Sequence, residues 1–341
     1  MEQEKRHFEE IDIAKGIGIL FVVIGHCFPD VSTDEGISIP FFRIVHDVIY
    51  TFHMPLMFFL AGFLSQRIFR AKEVKDKALF VKDRFVRLMI PYFSIGFLYM
   101  PVKMLLARFA AQPFDISTLW QIFLGVNPNG GLWYLYVLFL IQVVLVLVCN
   151  KNNAKYLLVI SSIVSIFIVI SEASFYWIDD TAYYLFFVLM GLLSGMIYEE
   201  KLQNLPHVTT WLAFSCFLLS TFCCLRFGIE ALKFVCGVTG TLAVVGFSRM
   251  LSKTSGEGQG TRCLKYLGSH SMDIYVLHGM VMVAIRVLLW SLLKLNYYLC
   301  TIAMLIGGFF IPLFVSKFIL RKVKIFKLLF LGEITKGEGQ Q

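Results

Sequence analysis

A chain of 341 residues that is 58% hydrophobic and only 16% charged cannot have water as its main solvent, because soluble domains carry about 25% charged residues. The net charge of +8 comes with neither aromatic interleaving in the basic segments nor a nucleic-acid fold signature, so nucleic acid is not an expected partner and the charge reads as a membrane-topology signal. The eight cysteines include no CxxC and no Cys/His zinc spacing, which gives no ground for a metal site or a disulfide framework.

A span needs about 20 mostly apolar residues to cross a hydrocarbon core about 30 Å thick. Ten candidate runs meet or approach that length. The first is Ile13 to Phe28. Lys5 and Arg6 precede it, but no small-residue cleavage site follows, so it reads as a retained helix rather than a signal peptide. The others are Phe42 to Leu64, Phe85 to Leu106, Leu132 to Cys149, Tyr156 to Ile170, Tyr183 to Tyr198, Trp211 to Leu225, Ala231 to Phe247, Ile274 to Leu293 and Tyr298 to Ile319. The expected fold class is therefore an all-α integral membrane protein, a polytopic bundle of about ten transmembrane helices embedded in the lipid bilayer.

Basic loops stay on the cytoplasmic side. The segment holding Arg67, Arg70, Lys72, Lys75, Lys77, Lys82, Arg84 and Arg87 must then be inside. Alternate loops carry Lys151 and Lys155; Lys201; Arg249, Lys253, Arg262 and Lys265; and Arg321, Lys322, Lys324 and Lys327. The intervening loops hold Asp30, Asp34, Glu35, Asp115, Glu172, Asp179, Asp180 and Glu230. Ten spans with both termini cytoplasmic satisfy this alternation. The organisation expected is one transmembrane domain over residues 1–331, a short cytoplasmic tail at 332–341 and no extra soluble domain. Ser255 to Gly260, SGEGQG, reads as a flexible cytoplasmic linker.

Ionisable groups inside a bilayer each demand a partner or a purpose. On the first helix, Asp12, Lys15 and His26 are the polar groups, and Lys15 and His26, eleven residues apart, share nearly the same face. Asp12 with Lys15 fits an interfacial pair one turn apart. His26 is open to two readings, a packing histidine or a general base. His53 precedes Pro55 in FHMPLMFFLAGF, where proline frees a carbonyl and bends the helix, so His53 suits either a backbone cap or a cavity role. Arg84 and Arg87, three apart in KDRFVRLMIPY, fit either topology or a forked clamp for phosphate. No Walker A or GxGxxG sequence accompanies them. Trp133, in NPNGGLWYLYVLF, suits an interfacial belt or a substrate platform. In LGSHSMDIYVLHG, Ser271 reads as an N-cap, with Tyr275 and His278 on its face.

Taken together, DIAKGIGILFVVIGH, FHMPLMFFLAG, RFVRLMIPY, GGLWYL and SHSMDIYVLHG resemble the acyltransferase family 3 membrane proteins, which include bacterial sugar O-acetyltransferases and fucose 4-O-acetylase-like enzymes. The pieces run from end to end of the chain in the family's order. The resemblance implies a ten-helix core that takes an acyl group, usually acetyl from cytosolic acetyl-CoA, to a hydroxyl of a cell-surface or lipid-linked glycan acceptor. Acyl-CoA is then a co-substrate, and no permanently bound cofactor is implied. It carries His26 over as the catalytic histidine, with Lys15 and Asp12 on the same helix as further catalytic candidates, and Arg84 with Arg87 as the acyl-CoA phosphate contacts. His53, Trp133, Tyr275 and His278 are candidates for the cavity. Relatives have arginine where this chain has Lys15, which keeps the charge and loses the bidentate fork. Many also carry a further extracytoplasmic domain, and this chain is expected to be the stand-alone form, in a bacterial cytoplasmic membrane. The competing class is a secondary transporter using the histidines as a proton relay.

Overall fold

The computed structural model describes residues 8–28, 37, 39–105, 116–171, 177–198, 202–254 and 258–334. Asp30, Asp34, Glu35, Asp115, Glu172, Lys201 and Ser255, and the tail from 335 onward, lie outside the described residues. Among the described residues every regular element is helical. The α-helices are α1 (Glu9–His26), α2 (Pro40–Tyr50), α3 (His53–Phe63), α4 (Val74–Arg84), α5 (Ile90–Leu105), α6 (Trp133–Val148), α7 (Ala154–Ser171), α8 (Trp177–Ile197), α9 (His207–Phe227), α10 (Leu232–Thr254), α11 (Gln259–Ser269), α12 (Ser271–Ile285), α13 (Tyr297–Val315) and α14 (Lys324–Leu331).

Nine of the ten expected spans are helices long and apolar enough to cross a membrane: Pro40–Arg70, Val74–Leu105, Gly130–Val148, Ala154–Ser171, Trp177–Ile197, His207–Phe227, Leu232–Lys253, Ser271–Leu292 and Tyr297–Leu320. Their outer faces are apolar: Ile163 and Phe167 on α7, Phe222 on α9, and Phe310 and Phe314 on α13 are all exposed. A surface this apolar requires lipid rather than water. The exception is the first helix. Within its 18 residues α1 carries Glu9, Glu10, Asp12 and Lys15, too many charges for a lipid-facing span. It tolerates them because α3, α10, α11 and α12 surround it with protein. Its charges are matched by Lys265 on Glu9, by the Tyr198 hydroxyl 2.6 Å from Glu10, and by Lys15 3.1 Å from Asp12.

Two spans depart from the simple helices expected. The second is discontinuous, breaking at Thr51–Phe52 between α2 and α3. Pro55 sits in the first turn of α3, where its missing N–H leaves no intrahelical bond unmade. The third begins at Val74 rather than Phe85, because a capping box between Glu73 and Asp76 starts a polar helix that a π-helical turn at Phe85–Met89 joins to α5. Ser271 does not cap α12. His270 occupies that position, and no side chain caps the end. The expected linker is shorter than SGEGQG, since Gly258 is the N-cap of α11 and Gln259 and Gly260 are already helical.

Close backbone contact sets the helix spacing. A Cβ on Gly16 would lie 2.1 Å from the Leu264 carbonyl oxygen, and one on Gly268 would lie 1.9 Å from that of Asp12, so α1 and α11 touch main chain to main chain. The same holds between α3 and α8, where a Cβ on Gly191 would lie 1.9 Å from the Phe59 carbonyl oxygen.

The basic segments meet at one end of the bundle. Lys77 donates to the Leu147 carbonyl at the end of α6, Arg249 and Lys253 reach the carbonyls of Leu202 and Gln203, and Arg87 joins Glu333. With that end cytoplasmic, as the positive-inside rule requires, reporters fused after Lys75, Lys155 and Lys265 are expected inside the cell and those at Asp34 and Asp180 outside. A reporter at Lys75 found outside would invert the whole bundle.

Candidate active site

Six helices, α1, α2, α3, α6, α8 and α12, converge with the turn ahead of α6 on a cavity of about 130 Å³, lined by Val22, His26, Tyr50, His53, Met54, Gly131, Trp133, Tyr184, Tyr275 and His278. It gathers His26 from α1, His53 from the start of α3, Trp133 from the start of α6, and Tyr275 with His278 from α12. The helix break at Thr51–Phe52 is what turns His53 inward. Its Nδ1 lies 2.8 Å from the Ile49 carbonyl, so the imidazole caps the end of α2 while its ring faces the cavity.

All three histidines use the same local device. His26 Nδ1 is 2.7 Å from the Val22 carbonyl, and His278 Nδ1 is 2.7 Å from the Tyr275 carbonyl. A carbonyl oxygen only accepts, so each Nδ1 carries a proton, and in the neutral imidazole Nε2 then keeps its lone pair for something else. The three rings lie close together. His26 and His278 meet edge to face at 5.3 Å between centroids, and the Tyr50 ring bridges His26 at 6.2 Å and His53 at 4.8 Å. His53 and His278 are each only 2% exposed. His26, the last residue of its helix, is partly exposed. All three rings line the cavity, and His26 is the most exposed of them.

Aromatic rings form the remaining walls. Trp133 packs against Tyr184 at 5.5 Å and Phe58 at 6.0 Å, which braces its indole as one side of the cavity. The Tyr275 hydroxyl donates to the Gly131 carbonyl, tying α12 to the loop ahead of α6. That loop is itself held by Asn127, whose amide donates to the Tyr92 carbonyl at 2.9 Å and accepts from the Asn129 N–H at 2.9 Å. Tyr50 and Tyr184 also line the site. Sequence reasoning missed both, because an aromatic residue in a lipid-spanning run is as ordinary as leucine. A spacing signal existed only for Tyr50, three residues ahead of His53.

The other predicted residues lie elsewhere. Lys15 pairs with Asp12 at 3.1 Å, about 16 Å along α1 from His26 at 1.5 Å rise per residue. Arg84 and Arg87 sit at the junction of α4 with the π-helical turn. Arg84 lies 5.1 Å from the Phe80 ring centroid, and its Nε is buried without a hydrogen-bond partner among the described residues. Arg87 Nη1 donates to the Leu331 carbonyl at 2.6 Å and to Glu333 at 2.9 Å. The structure thus brings together five of the predicted residues and leaves two charged pairs apart from them.

A family profile described as an acyltransferase domain matches residues 8–331. Among curated proteins, the chain is 30% identical over 224 residues to the nodulation protein NolL of Sinorhizobium fredii, an alignment covering 64% of this chain and 57% of that protein. The chain thus spans under two thirds of the length of that relative. No solved structure matches it. With the profile running through every helix that lines the cavity, from α1 to α12, and on to the end of α14, the chain belongs to the acyltransferase family 3 membrane proteins.

Proposed function

We propose that this membrane acyltransferase moves an acyl group, acetyl from cytosolic acetyl-CoA, to a hydroxyl of a cell-surface or lipid-linked glycan, from within a bacterial cytoplasmic membrane. The observation that carries this reading is the partly exposed His26, its Nδ1 proton held by the Val22 carbonyl and its Nε2 left for substrate. A carbonyl acceptor at Nδ1 plays the orienting part that the third member of a nucleophile–base–orienter set plays elsewhere.

In the reaction, Nε2 of His26 takes the proton of the acceptor hydroxyl as its oxygen bonds the thioester carbon. The carbon–sulfur bond then breaks, and the thiolate of CoA recovers the proton from the imidazolium. Trp133, Tyr50 and Tyr184 offer ring faces against which a sugar can lie, and His53 and His278 supply further polar groups. Lys15 and Asp12, at the opposite end of α1, belong with the donor side rather than with the reacting bond. Arg84 and Arg87 hold the CoA phosphates.

Purified protein given acetyl-CoA and an acceptor polysaccharide is the direct test. Ester formation, or slow hydrolysis of acetyl-CoA, is expected without any ion gradient. Substrate movement that depends on a proton gradient, with the thioester untouched, would instead identify a transporter. For the donor side, Arg84→Ala and Arg87→Ala are each expected to weaken acyl-CoA binding by about tenfold, the scale of a charge-assisted hydrogen bond, and more than the lysine variants do. Unchanged affinity in both alanine variants would remove the clamp.

A further inference from the structure

The C-terminal helix returns to the arginine pair. Gly332 ends α14 with φ +60°, and a Cβ there would meet the Val86 carbonyl oxygen at 2.5 Å and the Arg87 Cα at 2.6 Å. Only glycine can therefore seat this turn against the π-helical segment that carries Arg87. The next residue, Glu333, turns its carboxylate into a ring of cations: Arg87 at 2.9 Å, Lys327 at 3.3 Å and Arg321 at 3.7 Å. Burial pushes the Glu333 carboxyl up, but Arg87, Arg321 and Lys327 outweigh it and hold the group below the usual glutamate range.

These cations are not saturated. Asp273, 1% exposed, occupies one edge of Arg321, with Nε at 2.8 Å and Nη2 at 2.9 Å, and also accepts from Ser316 at 2.7 Å. Three cations then face two carboxylates, leaving one positive charge over. Arg87 spends only Nη1 on the tail, so its Nε and Nη2 have no partner among the described residues. Lys327 has one contact for three donors. Arg84 lies one turn before Arg87, with its buried Nε unpartnered among the described residues.

We propose that Arg87, Arg321 and Lys327 form an anion site for the phosphoryl groups of the acyl-CoA donor, and that the Glu333 carboxylate occupies this site until the donor displaces it. The inference rests on the acyl-CoA reading above and adds Arg321, Lys327 and Glu333, which lie far along the chain from the arginine pair. Displacement needs only a rotation of the Glu333 side chain, because Gly332 and the Leu331 carbonyl keep the backbone turn in place. The ion pairs are partly exposed, and pairs of this kind are individually weak. A phosphate brings more charge and three acceptor oxygens to forks that are already placed for it.

The test measures binding of acetyl-CoA, and separately of inorganic pyrophosphate, to the full chain in detergent, comparing wild type with Glu333→Gln and Lys327→Ala. The glutamine variant keeps the shape of the side chain and removes the competing charge, so both ligands should bind about three- to fivefold tighter. Lys327→Ala should weaken both by a similar factor. If acetyl-CoA binds the wild type and Glu333→Gln leaves that affinity unchanged or lowers it, the displaceable carboxylate is overturned while the donor reading stands. If pyrophosphate responds as expected and acetyl-CoA does not bind at all, the anion site stands and the donor assignment falls.

Discussion

His26→Gln is expected to fold, to keep its acyl-CoA affinity, and to lose glycan acylation by at least about a hundredfold, the ordinary scale of acid–base catalysis. The reason lies in the two nitrogens of the ring. Nδ1 makes the local bond to the Val22 carbonyl, and a glutamine amide can supply a comparable N–H, so the end of α1 should survive. Nε2 is the atom that glutamine cannot replace, because an amide is neither usefully basic nor nucleophilic. Acylation measured by ester release from the acceptor, beside acyl-CoA binding, separates the two contributions. His278→Gln provides the contrast. Its ring also lines the cavity but is only 2% exposed and meets His26 edge-on at 5.3 Å, so it is given a supporting part beside the base, and a smaller loss is expected. Near-wild-type acylation by well-folded His26→Gln would reject the proposed role.

Gly191→Ala should destabilise the protein by about 3 kcal/mol, at the upper end of the usual overpacking range. A Cβ at this position would sit 1.9 Å from the Phe59 carbonyl oxygen and 2.9 Å from the Phe63 backbone N–H nitrogen. Neither obstacle is a side chain that could rotate away. The clash must push α8 off α3, whose first residue is His53. Loss of stability and loss of activity should therefore arrive together, read as a lower unfolding midpoint in detergent and a lower yield of folded protein. Gly130, where a Cβ meets nothing within 4 Å, is the matched control. If Gly191→Ala proved as stable as Gly130→Ala, α3 and α8 would have to stand further apart than the main-chain contact places them.

The spans were legible because the signal for a membrane helix is local. Every residue facing lipid must be apolar whatever its neighbours are, so hydropathy alone marks Tyr298 to Ile319 within a residue of the observed Tyr297–Leu320. The same logic misplaced the start of the third span. Lys75, Asp76 and Lys77 look like a loop, yet a capping box makes them a helix, and caps work through the backbone rather than through hydropathy. The first run reads as a span from Ile13 to Phe28, yet the helix runs Glu9–His26 and takes in Glu9 and Glu10, whose partners Lys265 and Tyr198 come from distant parts of the chain.

For the site, the sequence by itself determined which side chains are chemically able to act. His26, His53 and His278 stand out because imidazoles in apolar runs are costly, and Arg84 with Arg87 because two forks three residues apart share one helix face. Only the tertiary structure decided what they face. The break at Thr51–Phe52 aims His53 at the cavity. The crossing of α1 and α12 sets His26 against His278, and a carboxylate 246 residues further along the chain reaches Arg87. The physical reason is range: hydropathy and helical spacing act over a few turns, whereas a cavity is defined by distances between helices, which close packing sets and no single helix carries.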